Sequence, residues 1–181
     1  MAEQNIPPEN QEQEPGPEDQ VEEFDSEEQP EPGHNSVLFT IGREVFAIPL
    51  EDIDEIYKFE DITHLPTAPD FLVGVINVHG NLAAVINLAA VMGIKDSVES
   101  DLTIILIPEM GGIAIQVDST SGFARYSVLE EVASGFDSSF DTSGEITFVE
   151  GVFKTDKGLV SLINPRKLQI WIDGAFSKGD D

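Results

Sequence analysis

The feature of the sequence that most constrains the fold is an apolar hairpin pattern that occurs twice, 77 residues apart and without a gap. In the first copy, two β-rich runs, Val73–Val78 and Leu82–Ile86, flank a turn at 79–81 that contains a glycine. Glycine adopts positive φ without steric cost, which suits a tight turn between antiparallel strands. The matched pairs are Phe71/Phe148, Gly74/Gly151, Val75/Val152, Leu82/Leu159, Ile86/Ile163 and Asn87/Asn164. Two copies are too few for a solenoid, so the pattern predicts a pseudo-symmetric pair of units.

Each hairpin is followed by an asparagine that predicts the start of a helix, because its side-chain oxygen can accept a hydrogen bond from the first turn. Asn87 precedes an apolar run that stops at Gly93, which predicts a short helix over Leu88–Met92. Asn164 precedes Pro165, a residue favoured at the first helical position because its missing N–H costs nothing there. For Arg166–Ile172, the pattern leaves a short helix and a strand open.

The rest of the chain contains further short β-rich runs separated by turn signals. They are Val37–Ile41, Val45–Leu50, Leu102–Ile107, Ile113–Val117 and Phe123–Tyr126. The acidic segment Glu51–Asp61 fits a strand or a helical turn, whereas Ser127–Val132 is predicted to form one helical turn capped by Ser127. Many short strands indicate a sandwich or barrels, and the duplication assigns about five strands to each unit.

Composition divides the chain into a tail and a folded part. Residues 1–35 contain twelve Asp or Glu and no Lys or Arg, with few apolar residues, so we expect a disordered acidic tail. The folded domain is expected over 36–174 and a frayed C-terminus over 175–181. Its two halves should meet near the polar segment 95–101, with exchange of strands between them left open. A mobile loop is expected over Ala133–Gly144.

The charge and cysteine content exclude several classes of function. The formal net charge is −26, which disfavours nucleic acid and anionic lipid as partners. The chain has no cysteine, and no apolar run approaches the roughly 18 residues of a membrane span. The N-terminus is acidic and has no apolar signal segment, so a cytoplasmic protein is expected.

The sequence offers no arrangement of residues that predicts catalysis, a metal site or a cofactor. His34, His64 and His79 lack the i, i+4 spacing of a helical zinc site. Acidic residues at 137, 141 and 145 lack the order of a calcium loop. There is no Gly-x-Ser-x-Gly nucleophile motif and no phosphate-binding or dinucleotide motif. We therefore expect a protein that is not an enzyme and binds no cofactor or metal.

Several stretches together resemble the CheW-like domain of bacterial chemotaxis coupling proteins, over Ser36 to Ile172. These stretches are FTIGREVFAIPL, ITHLPTAPDFLVGVINVHGNLAAVINL, GIAIQVDS, FVEGVF and GLVSLIN. The resemblance implies an all-β fold of two pseudo-symmetric, intertwined five-stranded SH3-like β-barrels with short helices. It also implies a non-enzymatic adaptor that couples chemoreceptors to a CheA-type histidine kinase in a chemotaxis or motility pathway.

The hairpin turn departs from the family pattern at one position. The family usually has Asn-Leu-Arg-Gly there, whereas this chain has Asn77-Val78-His79-Gly80. In the family, the arginine is associated with receptor contact. Val78, His79 and Gly80 are therefore candidate receptor-binding residues, and the alternative is that His79 is only a polar residue on an exposed turn. No residues are assigned to kinase binding.

Three further interpretations concern Asn87, Asp118 and the repeated glycines. The family's Asp after the second hairpin strand is Asn87 here, which caps a helix about as well. Asp118 is expected to cap the turn that follows it rather than contact a partner. Gly74 and Gly151 are interpreted as structural, since glycine allows another backbone to approach closely.

The implied partners are the regulatory domain of a CheA-type kinase and the cytoplasmic tip of a methyl-accepting chemoreceptor, and the implied location is cytoplasmic, peripheral to receptor arrays. Two alternatives stay open. One is a CheW-like scaffold of a non-flagellar pathway, such as surface motility or gene regulation. The other is a small acidic β-barrel hydrolase that uses paired carboxylates.

Overall fold

A computed structural model describes residues 33–59, 61–98, 100–130 and 146–177 of the chain. Short strands dominate these residues, together with two α-helices and two 3-10 turns. In chain order the strands are β1 His34–Ile41, β2 Glu44–Pro49, β3 Ile53–Lys58, β4 Leu72–Val78, β5 Asn81–Asn87, β6 Leu102–Leu106, β7 Ile113–Gln116, β8 Ser119–Tyr126, β9 Val149–Thr155 and β10 Gly158–Ile163. The helices are α1 Leu88–Met92 and α2 Pro165–Ser177, and the 3-10 turns are Leu50–Asp52 and Pro108–Met110.

The strands form two five-stranded sheets that each draw on both copies of the repeat. The first sheet has the order β8-β1-β2-β10-β9 and the second has the order β3-β6-β7-β5-β4. Segment 95–101 lies between α1 and β6, so β1 to β5 precede it and β6 to β10 follow it. Strands are therefore exchanged across this segment in both sheets. The prediction of an all-β fold with two pseudo-symmetric, five-stranded units is confirmed.

The strand registers reveal a second offset in the repeat that the hairpin pattern alone does not show. Val37 pairs with Phe123. An offset of 67 residues takes Val37 to Ile104 and Phe123 back to Ile56. Ile104 and Ile56 pair with each other as well. The bridge Thr63–Val75 likewise corresponds to a bridge between Glu130 and Val152. Residues 34–63 therefore match 101–130 with an offset of 67, whereas the hairpins match with an offset of 77. The second copy is longer between its third and fourth strands.

One large apolar core lies between the two sheets, and the single tryptophan joins the repeat across it. Phe39 and Phe46 of the first sheet pack in the same buried cluster as Ile104 and Ile115 of the second. Trp171 of α2 contacts the repeat-equivalent rings of Phe71 and Phe148 edge-on, with ring centroids 5.5 and 5.9 Å apart. Such aromatic contacts add stability beyond the area they bury, so both copies depend on α2.

Two smaller buried clusters lie within the individual units and correspond residue by residue. In the second sheet, one of them contains Ile76, Ala83, Val85, Ile105 and Ala114. Their equivalents in the first sheet are Phe153, Val160, Leu162, Leu38 and Ala47, which form the other. The repeat therefore preserves the interior of each unit as well as its strands.

Both predicted asparagine caps are present. Asn87 Oδ1 accepts a hydrogen bond from Ala90 N at 3.0 Å, and α1 ends at Gly93 with φ 70°. Asn164 Oδ1 accepts one from Lys167 N at 3.1 Å, and the segment left open by the pattern is helical as part of α2. Within the described residues, neither helix has the length and hydropathy needed to cross a membrane.

Several boundaries differ from the sequence-based expectations. Strand β1 begins at His34, because residues 34 and 35 pair with Tyr126 and Arg125. Helix α2 continues to Ser177, three residues into the segment expected to fray. The helical turn predicted from Ser127 is wrong, because Glu130 instead exchanges backbone hydrogen bonds with Val152. Residues 1–32, the loop expected over 133–144 and residues 178–181 lie outside the described residues.

The two repeated glycines sit where a preceding segment crosses the hairpin. A Cβ on Gly74 would lie 2.4 Å from the backbone oxygen of Thr63. A Cβ on Gly151 would lie 3.0 Å from the backbone oxygen of Glu130 and 3.0 Å from Leu129 Cβ. Both contacts support the close-approach interpretation, and the first is the tighter of the two.

We expect Gly74→Ala to lower the free energy of unfolding by about 1–3 kcal/mol, because the added methyl group displaces the backbone at Thr63. Gly151→Ala should cost about 1 kcal/mol or less, since its 3.0 Å contacts need the neighbouring atoms to shift by only a few tenths of an ångström. Urea unfolding monitored by Trp171 fluorescence measures both values. Gly174→Ala is the control, because a Cβ there meets nothing and alanine favours the helix by roughly 0.5–1 kcal/mol. Equal costs at positions 74 and 151 would contradict the prediction.

Candidate functional site

The turn between β4 and β5 holds the three candidate receptor-binding residues. His79 and Gly80 both have positive φ, 51° and 92°, as a two-residue turn between twisted antiparallel strands requires. Asn77 Oδ1 accepts a hydrogen bond from Gly80 N at 2.8 Å, and this bond across the turn stabilises it. A Cβ on Gly80 would meet nothing, so the position needs glycine for its backbone angle rather than for space.

The three residues are presented differently. The side chain of His79 is 80% exposed, and its Nε2 lies 3.1 Å from Oε2 of Glu55 on β3. Val78 is buried in the interior of its unit, and Gly80 has no side chain. Of this set, His79 is therefore the residue whose side chain can reach a partner. Its hydrogen-bond partner Glu55 lies 24 residues earlier, and the local sequence pattern contains no signal for the contact.

A cavity of about 380 Å³ with a mixed polar and apolar lining lies beside this turn, and we call it the turn cavity. Its lining includes Val78, His79, Leu82, Ile105 and Pro108. Leu82 is 70% exposed although it lies in strand β5, and its repeat equivalent Leu159 is also exposed, at 59%. Leu82 was not among the site residues predicted from the sequence. The alignment of two leucines directly after two turns was the signal that could have identified it.

The corresponding turn of the second hairpin makes a comparable contact. Lys157 Nζ donates a hydrogen bond to the backbone oxygen of Ser121 on β8, the strand that is equivalent to β3. In each unit the hairpin turn therefore contacts the strand at the opposite edge of the same sheet. His79 has a structural contact of this kind as well as an exposed surface.

A second cavity, of about 580 Å³, lies at the start of α2, and we call it the α2 cavity. Its lining includes His34, Glu51, Asp52, Tyr126, Glu150 and Arg166. Burial raises the pKa of Asp52 above its ordinary value of 3.8, and the charges of Glu51 and Glu150 raise it further while Arg166 lowers it. Burial and the same acidic groups raise the pKa of Tyr126. Negative charge in this cavity is only partly compensated.

The other candidate ligands are separated from one another. The His34 ring stacks on Tyr126, and His64 Nδ1 lies 2.8 Å from the backbone oxygen of Val73. Among the residues that the structure describes, no group of three His, Cys, Asp or Glu side chains could hold a metal ion. The acidic residues at 137, 141 and 145 lie outside the described residues.

Asp118 has a structural role, but not the predicted one. Its carboxylate accepts hydrogen bonds from Gly42 N at 2.7 Å, Ser97 Oγ at 2.7 Å and Val98 N at 3.1 Å. Asp118 therefore ties the β1–β2 turn to the segment that joins the two copies. The prediction that Asp118 caps a following turn is wrong, because all three donors come from earlier in the chain and strand β8 begins directly after Asp118, at Ser119.

Comparisons with known proteins agree on one family. Residues 35–170 match the family model of the CheW-like domain. A probable chemotaxis protein CheW of Rhizobium etli is 26% identical over 129 residues, which cover 70% of this chain and 81% of that protein. A chemotaxis protein CheW of Helicobacter pylori is 40% identical over 57 residues, 32% of this chain and 34% of that protein. The crystal structure of the scaffolding protein TtCheW from Thermoanaerobacter tengcongensis superposes with a TM-score of 0.62 at 25% identity, covering 73% of this chain and 89% of that one.

The raised pKa of Asp52 predicts a stability effect with a defined sign. The folded state binds the proton of the Asp52 carboxyl more tightly than the unfolded chain does. Ionisation of Asp52 therefore lowers stability as the pH rises through and above about 3.8. Asp52→Asn should therefore raise the melting temperature at pH 7, and the gain should shrink toward pH 3. Calorimetry across this range measures it, with Glu44→Gln, an exposed acid outside the cavity, as the control. A gain that is constant with pH would contradict the prediction.

Proposed function

The chain belongs to the CheW-like domain family, and we infer from its fold and its relatives that it is a chemotaxis coupling adaptor. The family match spans both sheets from β1 into α2, so it includes every element that forms the exchanged fold. That match is the observation that carries the function. The similar proteins are named as chemotaxis and scaffolding proteins, which does not favour the acidic hydrolase or the non-flagellar scaffold.

The finer proposal concerns the partners. The adaptor would link the cytoplasmic tip of a methyl-accepting chemoreceptor to the regulatory domain of a CheA-type histidine kinase, without catalysis of its own. It would act in the cytoplasm at receptor arrays. The family's adaptor role, together with the turn cavity and the α2 cavity, supports a protein that works by binding. The kinase-binding surface stays unassigned.

A reconstituted mixture tests this role. Receptor-containing membranes, the kinase and this chain should together give kinase autophosphorylation that responds to the receptor's ligand. Without the chain, kinase activity should be insensitive to the ligand. Binding of the chain to neither partner by calorimetry, or ligand control of the kinase that does not need the chain, would contradict the proposal.

For the receptor contact, we propose the turn surface formed by His79, with Leu82 and the turn cavity beside it. His79 is exposed and can donate a hydrogen bond, and Leu82 supplies apolar area next to it. Arginine always carries charge and donates a planar fork of hydrogen bonds, whereas histidine changes charge between pH 5 and 8. The turn of this chain should therefore bind an acidic receptor tip more tightly at low pH than at high pH.

His79→Arg should tighten binding to the receptor tip at pH 7.5 by about 0.5–2 kcal/mol and remove most of the pH dependence. His79→Ala should weaken binding at pH 6 and leave kinase binding unchanged. Glu55→Gln should increase the contribution of His79 to receptor affinity, because Glu55 competes with the receptor for the same ring nitrogen. Calorimetric titration at both pH values measures these changes.

The matched control for this set is Lys157→Ala, which removes the equivalent turn contact in the other unit. It should leave receptor affinity unchanged at both pH values. If the Arg, His and Ala forms at position 79 bind alike at both pH values, His79 is only a turn residue and the receptor surface lies elsewhere.

A further inference from the structure

Two cavities occupy equivalent places in the repeat, one at the start of each helix. The α2 cavity is described above, and a cavity of about 520 Å³ beside α1 is called the α1 cavity. When the offsets of 67 and 77 residues are applied, five lining positions of the α1 cavity correspond to five lining positions of the α2 cavity. The pairs, α1 cavity first, are Gln116/Pro49, Asp118/Glu51, Val73/Glu150, Asn87/Asn164 and Ala89/Arg166.

One wall of the α1 cavity is a segment of the chain that follows the helix. After α1 ends at Gly93, the linker 94–98 supplies Ile94, Ser97 and Val98 to this wall. The Asp118 carboxylate accepts hydrogen bonds from Ser97 Oγ and Val98 N. The carboxylate at this position of the fold therefore accepts hydrogen bonds from the hydroxyl and backbone N–H groups of a neighbouring segment of the chain.

The α2 cavity differs because α2 does not end where α1 ends. The residues equivalent to Ser97 and Val98 are Gly174 and Ala175, which belong to α2 and do not line the cavity. Glu51, the equivalent of Asp118, faces the cavity together with Asp52. The apolar wall residue Val73 is replaced by Glu150.

Charge defines what could lie in the α2 cavity. Three carboxylates line it against one arginine and one histidine, and the raised pKa of Asp52 agrees with incomplete compensation. The chain's own segments at 1–33 and 131–145 contain no Lys or Arg and several acidic residues, so their charge opposes occupation of this cavity. A basic peptide has the complementary charge and the same backbone N–H donors as the linker.

We propose that the α2 cavity binds a segment of a partner polypeptide that has a net positive charge, whose N–H groups bind the cavity carboxylates as those of the linker 94–98 bind Asp118. A basic side chain of this segment lies among Glu51, Asp52 and Glu150, and the peptide N–H groups donate to the same carboxylates. The α2 cavity shares no lining residue with the turn cavity, and the proposal does not depend on receptor binding by the turn at His79.

The probe is a blocked pentapeptide that copies the linker but has arginine in place of its aspartate, Ile-Lys-Arg-Ser-Val. The matched probe keeps the native sequence Ile-Lys-Asp-Ser-Val. In two-dimensional NMR spectra of the full-length chain at low salt, the arginine peptide should shift the amide signals of Glu51, Asp52 and Glu150. It should bind roughly fivefold or more tightly than the native-sequence peptide, and added salt should weaken it.

The double variant Glu51→Gln/Glu150→Gln should reduce binding of the arginine peptide to the level of the native-sequence peptide. Glu44→Gln/Glu109→Gln, two exposed acids outside the cavity, is the charge-matched control and should bind like the parent chain. Dispersed spectra of both variants show that the fold is retained.

Several results would overturn the proposal. These are the absence of shifts at the cavity, equal binding of the two peptides, or binding that both double variants weaken alike. Concentration-dependent shifts at the same residues without any peptide would assign the cavity to a second copy of this chain and would also overturn it. Failure of His79 variants to affect receptor binding would leave this result unchanged.

Discussion

Backbone hydrogen bonds between the two copies of the repeat hold this fold together. Strand β2 pairs in parallel with β10, and β5 pairs in parallel with β7, so the centre of each sheet joins strands from opposite sides of segment 95–101. Antiparallel pairs of β1 with β8 and β3 with β6 add to the exchange. Buried backbone groups must be paired, so neither copy alone could satisfy its own strands. The shared core and the contacts of Trp171 follow from this arrangement.

Local signals in the sequence were sufficient to predict the parts of the fold whose contacts join residues close together in the chain. The two hairpins and both asparagine caps depend on contacts within a few residues. The 77-residue repeat shows the same hairpin and cap pattern at both sites. The exchange of strands is different, because alternating apolar residues indicate which face of a strand is buried but not which strand lies beside it. The 67-residue offset was equally hidden, since β1 and β6 share apolar character rather than a distinctive motif.

The same limit applies to the site. A glycine turn and a departure from the family's arginine directed attention to Val78, His79 and Gly80, and the exposed position of His79 agrees with that choice. Its neighbour Glu55 lies on β3, whose mixture of acidic and apolar residues suited two structures equally well. The α2 cavity draws its lining from β1, the crossover after β2, the end of β8, both strands of the β9–β10 hairpin and the start of α2. Only the exchange of strands brings these segments together, so no local pattern could have indicated them.

The arrangement of strands along the chain has a consequence for the order in which the two sheets can form during synthesis. The second sheet uses one continuous stretch, β3 to β7, and every strand of it has left the ribosome once residue 116 has emerged. The first sheet must wait for β10, so the hairpin of β1 and β2 stays without its central partner through most of synthesis. We expect nascent chains stalled after β7 to contain a protease-resistant second sheet and an exposed first hairpin. Cleavage of both segments at equal rates would contradict this order. Natural selection on such a chain acts on how long that hairpin stays unpaired as well as on the finished fold, because unpaired strand edges promote aggregation.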